Sequence, residues 1–194
     1  MIGPRARLAL LMGLFAVPIA ASLLTYRYLR PAPTANYGEL LLPPATITAQ
    51  PFERVDGGRF SFAQLAGRWI LVVSDAGGCA ATCAEKLVTL RQVRLALGRD
   101  ASRVARVFVV EDRQRPEPAA LDGFDGMVVA LTPPGASVPS GAGSDRAHIY
   151  LVDPNGNVMM RWPAAGERKG VLADLRRLLK ASQVGQGLAP RTVT

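Results

Sequence analysis

The sequence predicts an α/β domain of three layers tethered by one N-terminal transmembrane helix. Three observations carry this expectation. Two short apolar runs, 69–74 and 104–110, flank an amphipathic stretch at 80–97. A turn sequence at 153–156 joins two further apolar runs and precedes a second amphipathic stretch. Nineteen consecutive uncharged residues stand at 8–26.

The uncharged run comes first along the chain. About 20 apolar residues span a bilayer. Arg5 and Arg7 precede the run, Arg27 and Arg30 follow it, and Tyr26 and Tyr28 sit at its end, where interfacial aromatics gather. A cleaved signal peptide is the rival reading, with Ala20-Ala21-Ser22 as its small residues. The run continues through Leu23 and Leu24, which favours an uncleaved anchor. The flanking arginines balance, and the free amino terminus tips the orientation toward N-terminus inside and domain outside. The expected location is therefore the cell inner membrane, single-pass, with the domain on the non-cytoplasmic, periplasmic-type face. The expected organisation is a flank at 1–7, the helix at 8–26, a Pro-rich spacer at 27–50, the domain at 51–183 and a flexible tail at 184–194. The stretch "ELLLPP" at 39–44 could instead pack on the domain.

Composition narrows the function classes. The chain has 194 residues, 49% hydrophobic and 20% charged, with a net charge of +8. These values suit one globular domain plus an appendage. Two cysteines are too few for a disulfide framework. Two cysteines and one histidine cannot close a four-ligand zinc site without carboxylates or a second chain. No basic run alternates with aromatics, so no nucleic-acid partner is expected. A basic domain held near anionic lipid is the simpler reading.

Each element of the domain has its own signal. Gly57-Gly58 marks a turn, and Phe60 and Phe62 are spaced as on one face of a short strand. Trp69 to Ser74, "WILVVS", reads as a strand buried on both faces. From Ala80 to Leu97 the period becomes helical, with Cys83, Leu87, Leu90, Val93 and Leu97 in one stripe. "VARVFVV" at 104–110 is a second buried strand, parallel to the first through a right-handed crossover. A polar loop with a short helix follows, then "MVVAL" as a short element. Residues 132–145 form a loop rich in Pro, Gly and Ser. "HIYLV" and "NVMMRW" flank Asp153-Pro154-Asn155-Gly156, a hairpin signal. Val171, Leu172, Leu175, Leu178 and Leu179 share one face of a last helix. The order βαβ…ββα, with two cysteines where a strand meets a helix, is the thioredoxin-like arrangement.

Cys79 and Cys83 are the chemically telling residues. If both are helical they lie one turn apart, about 6 Å between Cα atoms, within disulfide range. A helix N-terminus stabilises a thiolate, Gly77-Gly78 leaves backbone N–H groups uncovered, and Lys86 adds a nearby positive charge. Two soft thiolates on one turn suit Cu(I), and they can also cycle between dithiol and disulfide. The plain alternatives are two small buried hydrophobes or a passive disulfide. Their place at the carboxyl end of a buried parallel strand, where α/β folds hold ligands, favours a working pair.

The stretch from Gly67 to Pro118 resembles the Sco/SenC family of cytochrome c oxidase assembly proteins. These are membrane-anchored thioredoxin-like domains with a C-x-x-x-C pair, and the resemblance covers roughly residues 55–180. It implies that Cys79 and Cys83 are copper ligands, that Val109–Asp112 is a strand ending in an acidic residue, and that "IYLVDPNGNV" is the family's hairpin. It implies copper as the metal, and a cytochrome c oxidase copper-site subunit or another copper carrier as partner. Two positions depart from the pattern. Ala84 stands where the family has proline. The slot of the third copper ligand, a histidine, holds Asp145, a poor substitute for Cu(I). The sole histidine, His148, is offset by three residues, which in a strand turns it to the opposite face. It can ligate only if the Gly-rich loop is rearranged; otherwise it is a strand-edge histidine bonded to backbone or water. Met127, Met159 and Met160 read as core residues, with a thioether ligand the lesser alternative, and Trp69 and Trp162 as packing residues. The functions to weigh are copper binding or delivery, an enzyme activity as a tethered thiol–disulfide oxidoreductase without stable copper binding, and a non-catalytic assembly module.

Overall fold

The structure is a computed structural model of the chain, and it describes residues 3–28, 36–134 and 145–182. The chain divides into two units, 1–35 and 36–194. The described part of the first holds one helix, α1 (Pro4–Tyr28), with Pro18 inside it. Met12, Leu14, Phe15, Val17, Ile19, Leu23 and Leu24 on it are exposed. Among the described residues, no helix is long and apolar enough to cross a membrane. The expected tail at 184–194 and positions 135–144 of the expected loop lie outside the described residues, as do 29–35 of the expected spacer.

The second unit is an eight-stranded sheet carrying two α-helices. Its strands are β1 (Glu39–Thr46), β2 (Phe52–Arg54), β3 (Arg59–Phe60), β4 (Trp69–Asp75), β5 (Val104–Val110), β6 (Val128–Leu131), β7 (His148–Val152) and β8 (Asn157–Pro163). Its helices are α2 (Ala81–Ala96) and α3 (Arg168–Ala181). The sheet order is β1-β8-β7-β4-β5-β6-β2-β3. β4 pairs parallel with β5, and β5 parallel with β6. β7 runs antiparallel to both β4 and β8. All seven residues of β4 and of β5 are buried, as the continuous apolar runs require of central strands covered on both faces.

Strand alternation sorts the core into two clusters. On one face, Leu71, Val73, Phe108, Val110, Ile149, Leu151 and Trp162 meet Cys83, Leu87, Leu90 and Val93 of α2 and Val171, Leu175 and Leu179 of α3. On the other, Ile70, Val72, Val107, Val109, Tyr150 and Val152 meet Ile47, Phe52, Phe60 and Phe62. Both α-helices therefore lie on one face. Among the described residues that other face carries no α-helix; three tilted or edge-on phenylalanines cover it, with Phe62 at the start of a short 3-10 turn, Phe62–Leu65. The Gly57-Gly58 turn folds β2 onto β3 and brings those rings together.

The expected spacer needs a correction. Glu39–Thr46 is an edge strand of the sheet, antiparallel to β8, with its register broken between Leu40 and Ala45. Pro43 and Pro44 fall in that break, where an edge strand tolerates missing donors. Asp174, 2% exposed, fastens the segment from below. Its carboxylate accepts from Tyr37 N at 3.1 Å, Gly38 N at 2.8 Å and Trp162 Nε1 at 3.0 Å. Gly38 lies so close to the Trp162 indole that a Cβ there would overlap it.

Candidate functional site

The cysteine loop starts where β4 ends. The apolar strand delivers Asp75, and Ala76–Ala80 then turns the chain into α2. Asp75 Oδ1 accepts from Ala76 N at 2.8 Å. Cys79 N donates to Ala76 O at 3.1 Å, closing a tight turn. Asp112, just past the end of β5, accepts from Gly77 N at 2.9 Å and from Gln114 N at 3.1 Å. One carboxylate thus pins the cysteine loop to the 112–114 turn. The approach is so close that a side chain at Gly77 would collide with the Gln114 carbonyl.

Cys79 and Cys83 are joined as a disulfide, with Cα atoms 5.0 Å apart. Cys79 is not helical, contrary to the expectation from spacing. Its φ is +37°, a left-handed conformation costly for a non-glycine residue. The helix starts only after Ala80, which caps it without a side-chain hydrogen bond. The first turn carries no acidic residue, so the positive end of α2 is left to the sulfurs. The two cysteines differ in access: Cys83 is 1% exposed within the core, while Cys79 is partly exposed at the rim.

Lys86 lies on the same face of α2, one turn beyond Cys83. Its side chain is 1% exposed and its ammonium is satisfied by three acceptors. It donates to Ser74 O at 2.7 Å and to Arg146 O at 2.9 Å, and it pairs with Asp75 Oδ2 at 2.7 Å. Arg146 in turn pairs with Glu111 at 2.7 Å. The charge expected near the thiols is therefore a clasp linking α2, the end of β4 and the turn before β7. Sequence reasoning saw the charge and missed the clasp; a lysine inside the apolar stripe and an aspartate ending an apolar strand are its signals.

His148 and Asp145 are brought to each other and not to the sulfurs. Residues 145–147 form a turn rather than strand, so the alternation argument fails between these two positions. Asp145 folds back to the His148 ring, with Oδ2 at 2.8 Å from Nδ1, and accepts a short hydrogen bond from the Tyr150 hydroxyl. Burial alone would raise the Asp145 carboxyl, but the bonds from Tyr150 and His148 outweigh it and hold it below its ordinary range. Burial, then the bond to Asp145, pushes Tyr150 up to about 12. His148 and Tyr150 share one side of β7, and Tyr150 belongs to the core cluster opposite the helices. Cys83 belongs to the helix-side cluster, and Cys79 packs against it. The lone histidine and the cysteine pair thus face opposite sides of the sheet. Among the described residues, no group of three or more His, Cys, Asp or Glu could hold a metal ion. Met160 and Trp162 are fully buried core residues; Trp69 is buried, and Met127 and Met159 are partly buried against the same cluster.

Comparison with known proteins agrees with this architecture. Residues 69–182 match the family model for the transmembrane-like, thioredoxin-like C-terminal domain. The chain belongs to that family. No curated protein matches the sequence. Apo Sco1 from Thermus thermophilus is similar in structure, at 21% identity and a TM-score of 0.59, covering 76% of this chain and 99% of its own. Copper-bound yeast Sco1 is similar at 16% identity and a TM-score of 0.60, covering 72% and 95%. So is the thioredoxin domain of a thiol-disulfide oxidoreductase from Bacteroides vulgatus, at 16% identity, a TM-score of 0.52, and 72% and 99% coverage. The chain therefore has the thioredoxin-like fold shared by Sco proteins and thiol-disulfide oxidoreductases.

Proposed function

We propose that this chain is a Sco-like thiol–disulfide protein serving cytochrome c oxidase assembly, with Cys79 and Cys83 as its redox pair. The carrying observation is the asymmetric disulfide: a partly exposed Cys79 bonded to a buried Cys83 at a strand-to-helix turn. In the reduced form, the Cys79 thiolate attacks a disulfide on a target. One target sulfur leaves as thiolate and the other is joined to Cys79. The Cys83 thiolate then attacks the Cys79 sulfur and frees the second target thiolate. The target gains two electrons, and a separate dithiol reductant returns the pair to its reduced form. Uncapped N–H groups at the start of α2 stabilise the attacking thiolate.

Copper is the second reading, as cargo. Two thiolates from residues 5.0 Å apart suit a soft monovalent ion. The third ligand of the Sco pattern does not fit, because His148 and Asp145 are engaged with each other on the far face of the sheet. Any copper held by the pair is therefore held by sulfur, and exchanges readily with a partner that offers more ligands. That partner is a copper-site subunit of the oxidase or another copper carrier. The apolar run at 8–26 anchors the chain to the cell inner membrane in this reading, with the domain on the non-cytoplasmic face.

Trapping tests the proposal. Cys83→Ser in the full chain should accumulate a mixed disulfide through Cys79 with a protein of the oxidase assembly route. Cys79→Ser should not. Equal adducts from both variants, or none from either, would refute the assignment of roles.

A further inference from the structure

We infer a phosphate-type oxyanion site built by Arg91, Arg94 and Arg106, on the helix side of the sheet and separate from the cysteine pair. Arg91 and Arg94 are neighbours on α2, three residues apart. Arg106 rises from β5 on the face that meets α2, between Ala105 and Val107, which face the other way. Three contacts gather the guanidiniums. Arg94 Nε donates to Val104 O at 3.1 Å, two residues from Arg106 along one strand face. Arg106 donates to Asp125 O at 2.5 Å. The Arg91 guanidinium lies against Gly123, 3.3 Å from where a Cβ would stand, on that same 122–126 turn.

Among the described residues the nearest acidic influence on the cluster is Asp125, which acts on Arg106 without forming an ion pair. Among the described residues, none of the three arginines makes an ion pair with a carboxylate, whereas Arg54, Arg103, Arg113, Arg115, Arg146, Arg161 and Arg177 all do. Arg106 is only 4% exposed, and its Nε, though buried, has no hydrogen-bond partner among the described residues. A desolvated guanidinium beside two like charges is costly unless an anion joins it. Arg106 correspondingly feels burial first and then repulsion from Arg94 and Arg91, and the Asp125 carboxylate offsets these only in part, so its pKa lies below the ordinary arginine value. Three forked donors from two elements match a compact oxyanion with several acceptor oxygens, and a dianion better than a monocarboxylate. Gly123, with φ at +77°, keeps the turn free of a side chain beside Arg91. The same chemistry is offered by free phosphate and by a phospholipid headgroup.

The test uses the full chain in neutral detergent. Inorganic phosphate is titrated against chloride at equal ionic strength, and the melting temperature and phosphorus NMR line width are followed. Phosphate should raise the melting temperature saturably. Arg91→Gln/Arg94→Gln loses the Arg94–Val104 bond and should melt slightly lower in chloride while staying folded, and it should weaken the phosphate effect about tenfold or more, the order expected for losing charge-assisted hydrogen bonds. A second arm measures binding to phosphatidylglycerol against phosphatidylcholine vesicles. An arginine-dependent preference for phosphatidylglycerol identifies the lipid headgroup as the source; arginine-dependent phosphate binding without it identifies the free ion. Phosphate behaving as chloride together with a vesicle preference untouched by the double substitution would overturn the site.

Discussion

Replacing Lys86 by methionine probes the clasp beneath the cysteine loop. The apolar stem is kept and the ammonium removed. Ser74 O, Arg146 O and the Asp75 carboxylate then lose a donor that stands at 2.7, 2.9 and 2.7 Å. Lys86 is 1% exposed and Asp75 13%, so water replaces the ammonium poorly. Breaking one partner of such a buried pair costs about 3–5 kcal/mol. A domain of this kind has about 5–15 kcal/mol in total, so Lys86→Met should remove a large share of its stability. Much of that cost is the carboxylate, left with Ala76 N at 2.8 Å and the more distant Arg146 guanidinium at 3.9 Å. Lys86→Met/Asp75→Asn should therefore be less destabilised than Lys86→Met alone, with a coupling of about 1 kcal/mol or more. Urea unfolding of the oxidised chain, with Asp75→Asn completing the cycle, measures each corner. A loss below about 1 kcal/mol for Lys86→Met, or a double variant no better than the single, would refute the buried clasp.

Gly77→Ala should cost about 1–3 kcal/mol by forcing the loop off the Gln114 carbonyl, read as a lower denaturation midpoint and faster reduction of the disulfide by dithiothreitol. Tyr150 holds its proton longer in the folded state, with its pKa raised to about 12. The unfolded chain releases that proton first, so this residue's contribution to stability is full below about pH 10 and is lost as pH rises toward 12. Tyr150→Phe should flatten that part of a stability–pH profile and leave the rest unchanged. His148→Ala should leave the Cu(I) stoichiometry of the reduced chain unchanged, measured by competition with a chromophoric chelator; loss of copper in that variant alone would show that the ring reaches the sulfurs.

Much of the fold was legible because its central elements announce themselves by period. Both buried parallel strands, the apolar stripe of α2, the Asp153–Gly156 hairpin and α3 stand where periodicity placed them. The misses share a cause: each depends on where the chain turns, which period does not encode. Pro43 and Pro44 read as spacer or as a stretch packed on the domain, and they sit in the irregular middle of an edge strand, a pairing that period did not specify. Cys79 reads as the first helical residue, yet takes a left-handed conformation ahead of the cap. The turn at 145–147 brings Asp145 to His148, where a strand would have parted them. The cover of the face opposite α2 and α3 was not legible because three phenylalanines scattered over 52–62 converge only through a hairpin. For the site, spacing was enough to bring the cysteines together. Their unequal burial and the Lys86 clasp needed the packed structure.

Equilibration of the full chain and its single-cysteine variants in a glutathione redox buffer, with thiols counted by mass, tests the central claim most directly. The account predicts one two-electron transition for the parent chain, a stable glutathione adduct on Cys79 in Cys83→Ser, and little adduct on the buried Cys83 in Cys79→Ser. A parent disulfide that stays closed across the whole range of buffer potentials, or an adduct forming preferentially on Cys83, would contradict it.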